Sequence, residues 1–173
     1  MAYGALRGLS LLVLSSLLAC ALRPASDVSG PFTLAEAAEQ APEGPRRASL
    51  YLVVQASESF EMGDLAAARA AASRALRVDG RNPYAYFVLG QVTAASGEFD
   101  TALRYLEQAQ LLFSLDATIH PHWIARVLRV EAQLRSEAGE VEEAALLRRQ
   151  ADVIESGSSR PGGVLSPEIE RQP

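Results

Sequence analysis

Cys20 is the single cysteine of the chain and His120 and His122 are its only histidines, so few side chains could act as nucleophile or soft metal ligand. A lone cysteine makes no internal disulfide, no cysteine-cluster metal site and no CxxC redox pair. His120-Pro121-His122 sets two imidazoles on either side of a proline, with Asp116 as the nearest acidic residue. No third ligand follows at a spacing that suits zinc. There is no G-x-S-x-G elbow, no phosphate-cradling glycine loop and no Cys–His pair for acyl transfer. The sequence therefore predicts no enzyme, no metal and no cofactor. The chemistry left is attachment at Cys20 and recognition by the rest of the chain.

Arg7 is the only charged residue before Arg23, and the largely apolar run 8–19 follows it directly. That run suits an export signal and falls short of the about 20 apolar residues that a membrane-spanning helix needs. Leu17-Leu18-Ala19-Cys20 resembles a bacterial lipobox. The resemblance implies a signal peptide over 1–19, cleavage before Cys20, a diacylglyceryl group on its thiol and a further acyl chain, such as palmitate, on its amine. More than one chain is what stable anchoring requires. Ala21, where Asp commonly retains a lipoprotein in the inner membrane, implies the outer membrane with the protein facing the periplasm. The overlapping Ala19-Cys20-Ala21 also fits the A-x-A pattern of ordinary secretory cleavage, which would release a soluble chain beginning at Leu22.

Cleavage before Cys20 removes 19 of the 173 residues and leaves 154, enough for one domain with tails. That chain carries 15 Arg and no Lys against 21 acidic residues, a net charge of −6. A nucleic-acid binder would show a basic stripe instead, so that partner class is not expected.

Three glycines recur with matching surroundings. "GDLAAARAAASRAL" begins at Gly63, "GEFDTALRYLEQAQ" at Gly97 and "GEVEEAALLRRQAD" at Gly139. Each block has an acidic residue, then an apolar one (Leu65, Phe99, Val141), an alanine five after the glycine (Ala68, Ala102, Ala144) and another twelve after it (Ala75, Ala109, Ala151). The first two glycines are 34 residues apart and the next two 42, a second period with eight residues inserted. Periods of this size mark arrays of one supersecondary unit. The blocks resemble the tetratricopeptide repeat (TPR), most clearly in the middle copy, where Tyr86, Leu89, Gly90, Gly97, Phe99, Ala102, Leu106 and Ala109 stand at the signature places. The copy departs at Thr93, where the family prefers an aromatic residue; the outer copies depart at Ser59, Ala72, Gly80, Arg135 and Arg148.

The resemblance implies an all-α fold, a right-handed TPR solenoid of three helix pairs in repeats at 49–82, 83–116 and 125–155, together spanning 46–155. The pattern has a physical reason apart from the family. Antiparallel helices that cross closely need small residues where their backbones approach, here Gly90 and Ala102, with Leu89, Phe99 and Leu106 filling the grooves. Gly97 stands where the chain reverses and a positive φ is cheap only for glycine. Helices are expected near 47–62, 64–78, 83–96, 99–113, 121–138 and 141–155, with Pro83 and Pro121 in first turns. The stretch 20–45 reads as a tether around one short helix, in which Thr33 and Glu36 are spaced as a capping box. The tail 156–173 lacks periodicity and is expected to be disordered.

In TPR proteins the first helix of each pair lines a concave groove through the second, fifth, ninth and twelfth repeat positions. Carried over, those places hold Leu50, Val53, Ser57 and Phe60, then Tyr84, Phe87, Gln91 and Ala94, then Arg126, Arg129, Gln133 and Ser136. The expected groove is apolar at one end and basic at the other. Phe87 and Tyr84 would anchor a protein or peptide segment, and Arg126 and Arg129 would hold its carboxylate through charge-assisted hydrogen bonds. Val53 and Ser57 replace the Lys and Asn of chaperone-binding carboxylate clamps, so that partner class is disfavoured. Trp123 reads as a cap over Leu112 or Phe113, with an interface anchor as the rival role. The whole is expected to be a lipid-anchored periplasmic adaptor in envelope assembly, as resembling lipoproteins are. Self-association through the end helices is the structural alternative.

Overall fold

The computed structural model describes residues 33–116 and 121–158, and among them there are seven helices and no strands. Cys20, the signal segment 1–19, His120 and the tail beyond 158 lie outside the described residues. No helix among those described is long and apolar enough to cross a membrane.

Helix α1 (Leu34–Gln40) is opened by a reciprocal capping box: Glu36 N–H donates to the Thr33 hydroxyl at 3.2 Å, and Thr33 N–H donates to the Glu36 carboxylate at 2.8 Å. The sequence expects this short helix within a tether, and the structure packs it against the repeats. Ala38 and Ala41 are buried in the main core, and Arg47 donates to the carbonyls of Ala41 at 2.7 Å and Glu39 at 3.2 Å, fastening α1 to the next helix.

The remaining six helices are α2 (Pro45–Glu61), α3 (Leu65–Val78), α4 (Pro83–Ala95), α5 (Phe99–Leu115), α6 (His122–Glu137) and α7 (Val141–Ser158). Their starts follow local chemistry. Pro45 and Pro83 occupy first turns, where a missing N–H costs nothing. Asp64 accepts from Ala67 N–H at 2.9 Å, and Asn82 accepts from Tyr84 and Ala85 N–H at 3.0 and 3.3 Å. The Asn82 amide also donates to Ser49 Oγ at 2.8 Å, which in turn donates to the Ala75 carbonyl at 2.8 Å. This buried chain of polar groups ties α2, α3 and the start of α4 together.

Helices α2 and α3, α4 and α5, and α6 and α7 pack as pairs, and α3 on α4 and α5 on α6 join one pair to the next. Each pair turns through the same device. Gly63, Gly97 and Gly139 adopt φ of 80°, 79° and 87°. The residue after each glycine bonds back five positions: Asp64 N–H to Ser59 O at 2.9 Å, Glu98 N–H to Thr93 O at 2.9 Å and Glu140 N–H to Arg135 O at 2.8 Å. This is the Schellman closure, and a β-carbon in that left-handed conformation would be strained.

Helix crossing obeys the expected size rule at Gly90, with Leu89 and Leu106 buried, but Phe99, expected to fill a groove as well, is exposed in the first turn of α5. A β-carbon added at Gly90 would lie 2.8 Å from both Cγ and Cδ2 of Leu106, and 3.5 Å from the Ala102 carbonyl oxygen. The counterparts in the first pair are Ala56 and Ala72, both buried: where the second helix offers alanine in place of leucine, the first can carry a methyl group. The non-consensus polar residues are also accommodated. The buried Thr93 hydroxyl donates to Leu89 O at 2.7 Å, and Ser59 at the matching place donates to Gln55 O at 2.9 Å. Arg135, the third counterpart, reaches Glu140 at 2.7 Å and Glu143 at 3.1 Å.

Candidate functional site

The row of first helices, α2, α4 and α6, carries every residue expected to line the groove, but the structure divides them into two sets. Leu50, Val53, Tyr84 and Phe87 are core residues. Ser57, Phe60, Gln91, Ala94 and Ser136 are half-buried, while Arg126, Arg129 and Gln133 are exposed.

The aromatic anchors therefore need correction. Tyr84 and Phe87 retain only 5% and 2% of their surface, because Trp123 has taken the space a bound side chain would need. Trp123 sits in the first turn of α6, is 1% exposed and stacks on Phe113 at 6.0 Å with 16° between planes. Tyr84 meets Phe113 and Trp123 edge-on, at 5.0 and 4.9 Å, and Phe87 meets Trp123 edge-on at 6.0 Å. Such edge-to-face and offset contacts add to the burial of each ring. The tryptophan is thus a cap over Phe113. Burial pushes the Tyr84 phenol up to about 12, with Arg46 opposing and Asp116 reinforcing the shift. Those two side chains pair with each other at 2.8 Å, joining the start of α2 to the end of α5.

Arg126 is what the aromatic cluster presents outward. Its guanidinium carbon lies 4.6 Å from the centroid of the Trp123 ring and 5.6 Å from that of Phe87, close enough for cation–π attraction. Partial desolvation there lowers its pKa, Glu61 opposes the shift, and arginine stays cationic at neutral pH. A guanidinium in that place is exposed on the row of first helices, and its planar fork of N–H donors is the kind of group that recognises a carboxylate.

Arg129, expected as the second cation of the groove, does other work. It reaches over to α7 and holds Glu155, with one bond at 2.6 Å, and Asp152 at 3.2 Å. It is committed to an intramolecular clamp, and its exposure screens that clamp by solvent. Gln133 donates to Glu137 at 3.0 Å on the same helix. The outer edge of α7 also differs from that of α5: Arg148, Asp152 and Glu155 stand where α5 has Leu106, Gln110 and Phe113.

Among the described residues no group of three or more His, Cys, Asp or Glu side chains could hold a metal ion. The residues sequence reasoning missed are Ser49, Asn82 and Arg46, whose partners lie 26 to 70 positions away. No local spacing announces such pairs.

No family model matches the sequence, and no curated protein matches it. Among solved structures, the N-terminal domain of stress-induced protein-1 (STI-1) from C. elegans is similar with a TM-score of 0.57 and 12% sequence identity, over 65% of this chain and 88% of that one. At that identity the likeness concerns the fold alone. Together with the three glycine-closed helix pairs, it gives the chain an all-α, tetratricopeptide-like helical-repeat fold.

Proposed function

We propose that the protein is a membrane-anchored periplasmic adaptor, fastened at the outer membrane through an acylated Cys20 and holding a protein or peptide segment along α2, α4 and α6. The observation that carries the recognition half is Arg126, a cation over the Trp123 and Phe87 rings and exposed to solvent. Ser57, Phe60 and Gln91 on the neighbouring first helices, and Gln133 further along α6, supply the rest of the surface. A segment bringing a carboxylate to Arg126, with small or polar side chains along Ser57 and Gln91, suits it better than one with large aromatic anchors, whose pockets are filled from within. The anchor half rests on the lipobox-like Leu17-Leu18-Ala19-Cys20.

Stacked self-assembly, the rival structural role, is served poorly by the α7 edge, where Asp152 and Glu155 are paired with Arg129. A soluble secreted form beginning at Leu22 remains the second reading of the same cleavage region.

Intact mass and membrane fractionation of the native chain beside Cys20→Ser test the anchor. A triacylated Cys20 with outer-membrane recovery, both lost in the variant, is the expected result. An unmodified chain starting at Leu22 and recovered in the soluble fraction would refute the anchor and favour the second reading.

A further inference from the structure

Glu131 stands at the seventh place of the third repeat, where the second repeat has the buried Leu89. It is 7% exposed, and its Oε1 is buried without a hydrogen-bond partner. An ionised carboxyl in that condition is costly, and the usual relief is to keep the proton.

Its place in the fold gives that proton a mechanical meaning. Helix α6 shows two apolar faces. Trp123, Val127 and Leu134 belong to the main core, whereas Ala125 and Leu128 pack with Ala151, Leu147 and Ile154 of α7 in a separate cluster. Ile124 touches both clusters, and Glu131, seven residues on, projects from the same side of the helix. The carboxyl thus sits at the seam where α6 turns from one cluster to the other, between the second and third helix pairs. Glu107 of α5 faces it with like charge. Arg135, one turn further along α6, opposes, but that guanidinium is already shared with Glu140 and Glu143 at the start of α7.

We propose that Glu131 is a proton-operated joint: protonated, it lets the α6–α7 pair dock on α5, and ionised, it loosens that pair from the rest of the stack. Burial and Glu107 raise its pKa from 4.5 to about 7, with Arg135 opposing. An acid whose pKa is raised on folding stabilises the docked state fully below its unfolded value. That contribution is lost as pH rises from about 4.5 towards about 7, and stays lost above. Since Arg126 and Gln133 ride on α6, loosening would also disturb the proposed recognition surface.

Hydrogen exchange on the purified protein tests this, with protection factors of α2 and α3 as the internal reference. Between pH 5 and pH 8 the α6 and α7 amides should lose protection by about tenfold or more, bounded at a few hundredfold by a shift of that size. Glu131→Gln should abolish the change. Equal pH dependence in wild type and variant, or uniform loss across all helices, would overturn the joint. Should Glu131→Gln fail to fold, carboxyl-carbon NMR of the wild-type protein decides alone. A Glu131 midpoint near 7 supports the proposal, and one in the ordinary glutamate range refutes it.

Discussion

Trp123→Ala should destabilise the domain by about 3–5 kcal/mol, the range for deleting a large aromatic side chain from a packed core. The ring is almost wholly enclosed, stacks on Phe113 and receives the edges of Tyr84 and Phe87. Its removal strips contacts from all three neighbours and leaves a cavity at the joint between α4, α5 and α6. Against the 5–15 kcal/mol typical of a whole domain this is a large fraction. Urea unfolding monitored by circular dichroism would read it as a lower midpoint with an unchanged slope. Trp123→Phe, which keeps the ring stack on Phe113, should recover more than half of the loss. A cost below about 1 kcal/mol for Trp123→Ala would mean the ring is not a cap but is mostly solvated, as the rival anchor role requires.

The crossing of α4 and α5 gives the second large effect. Leu106 is fully buried and its Cγ, not only a terminal methyl, stands 2.8 Å from where a Gly90 β-carbon would be. A branch point that close to its own backbone cannot swing aside. Gly90→Ala gains about 1 kcal/mol of helix propensity. It should nonetheless lower stability by about 1–2 kcal/mol, because overpacking a close crossing costs up to about 3. Leu106→Ala should cost about 2–5 kcal/mol as a cavity. The double variant should be more stable than the sum of the two losses by about 1–3 kcal/mol, since the new methyl group enters the space the leucine vacates. Denaturation of all four proteins completes the cycle. Strict additivity would contradict the close contact.

Much of this architecture was legible in the sequence because it rests on local rules. Gly63, Gly97 and Gly139 mark the reversals, Pro83 the start of α4, and the close crossing at Gly90 and Ala102 follows from residue size, although the tight contact of Gly90 with Leu106 shows only in the structure. Thr33 and Glu36 also announced α1, but not that Ala38 and Ala41 would dock it into the core: two alanines give little sign of which surface they will meet. The candidate surface was less legible. Tyr84 and Phe87 stand at groove positions, yet the eight inserted residues bring Trp123 to the start of α6, where it fills the space they would have offered. Arg129 looked free because Asp152 and Glu155 lie 23 and 26 residues downstream, brought near only by the pairing of α6 with α7. Glu131 did carry a signal, an acidic residue at a place where the best copy of the repeat has leucine.

The adaptor account is tested most directly by site-specific photo-crosslinking in the native envelope, with the reactive residue at Gln91 on the first-helix row or at Arg74 on α3. The account predicts that Gln91 links to a second protein, that Arg74 does not, and that Arg126→Ala abolishes the product while the helical circular-dichroism spectrum is unchanged. Equal labelling from both positions, or labelling at Gln91 indifferent to Arg126→Ala, would contradict recognition along α2, α4 and α6.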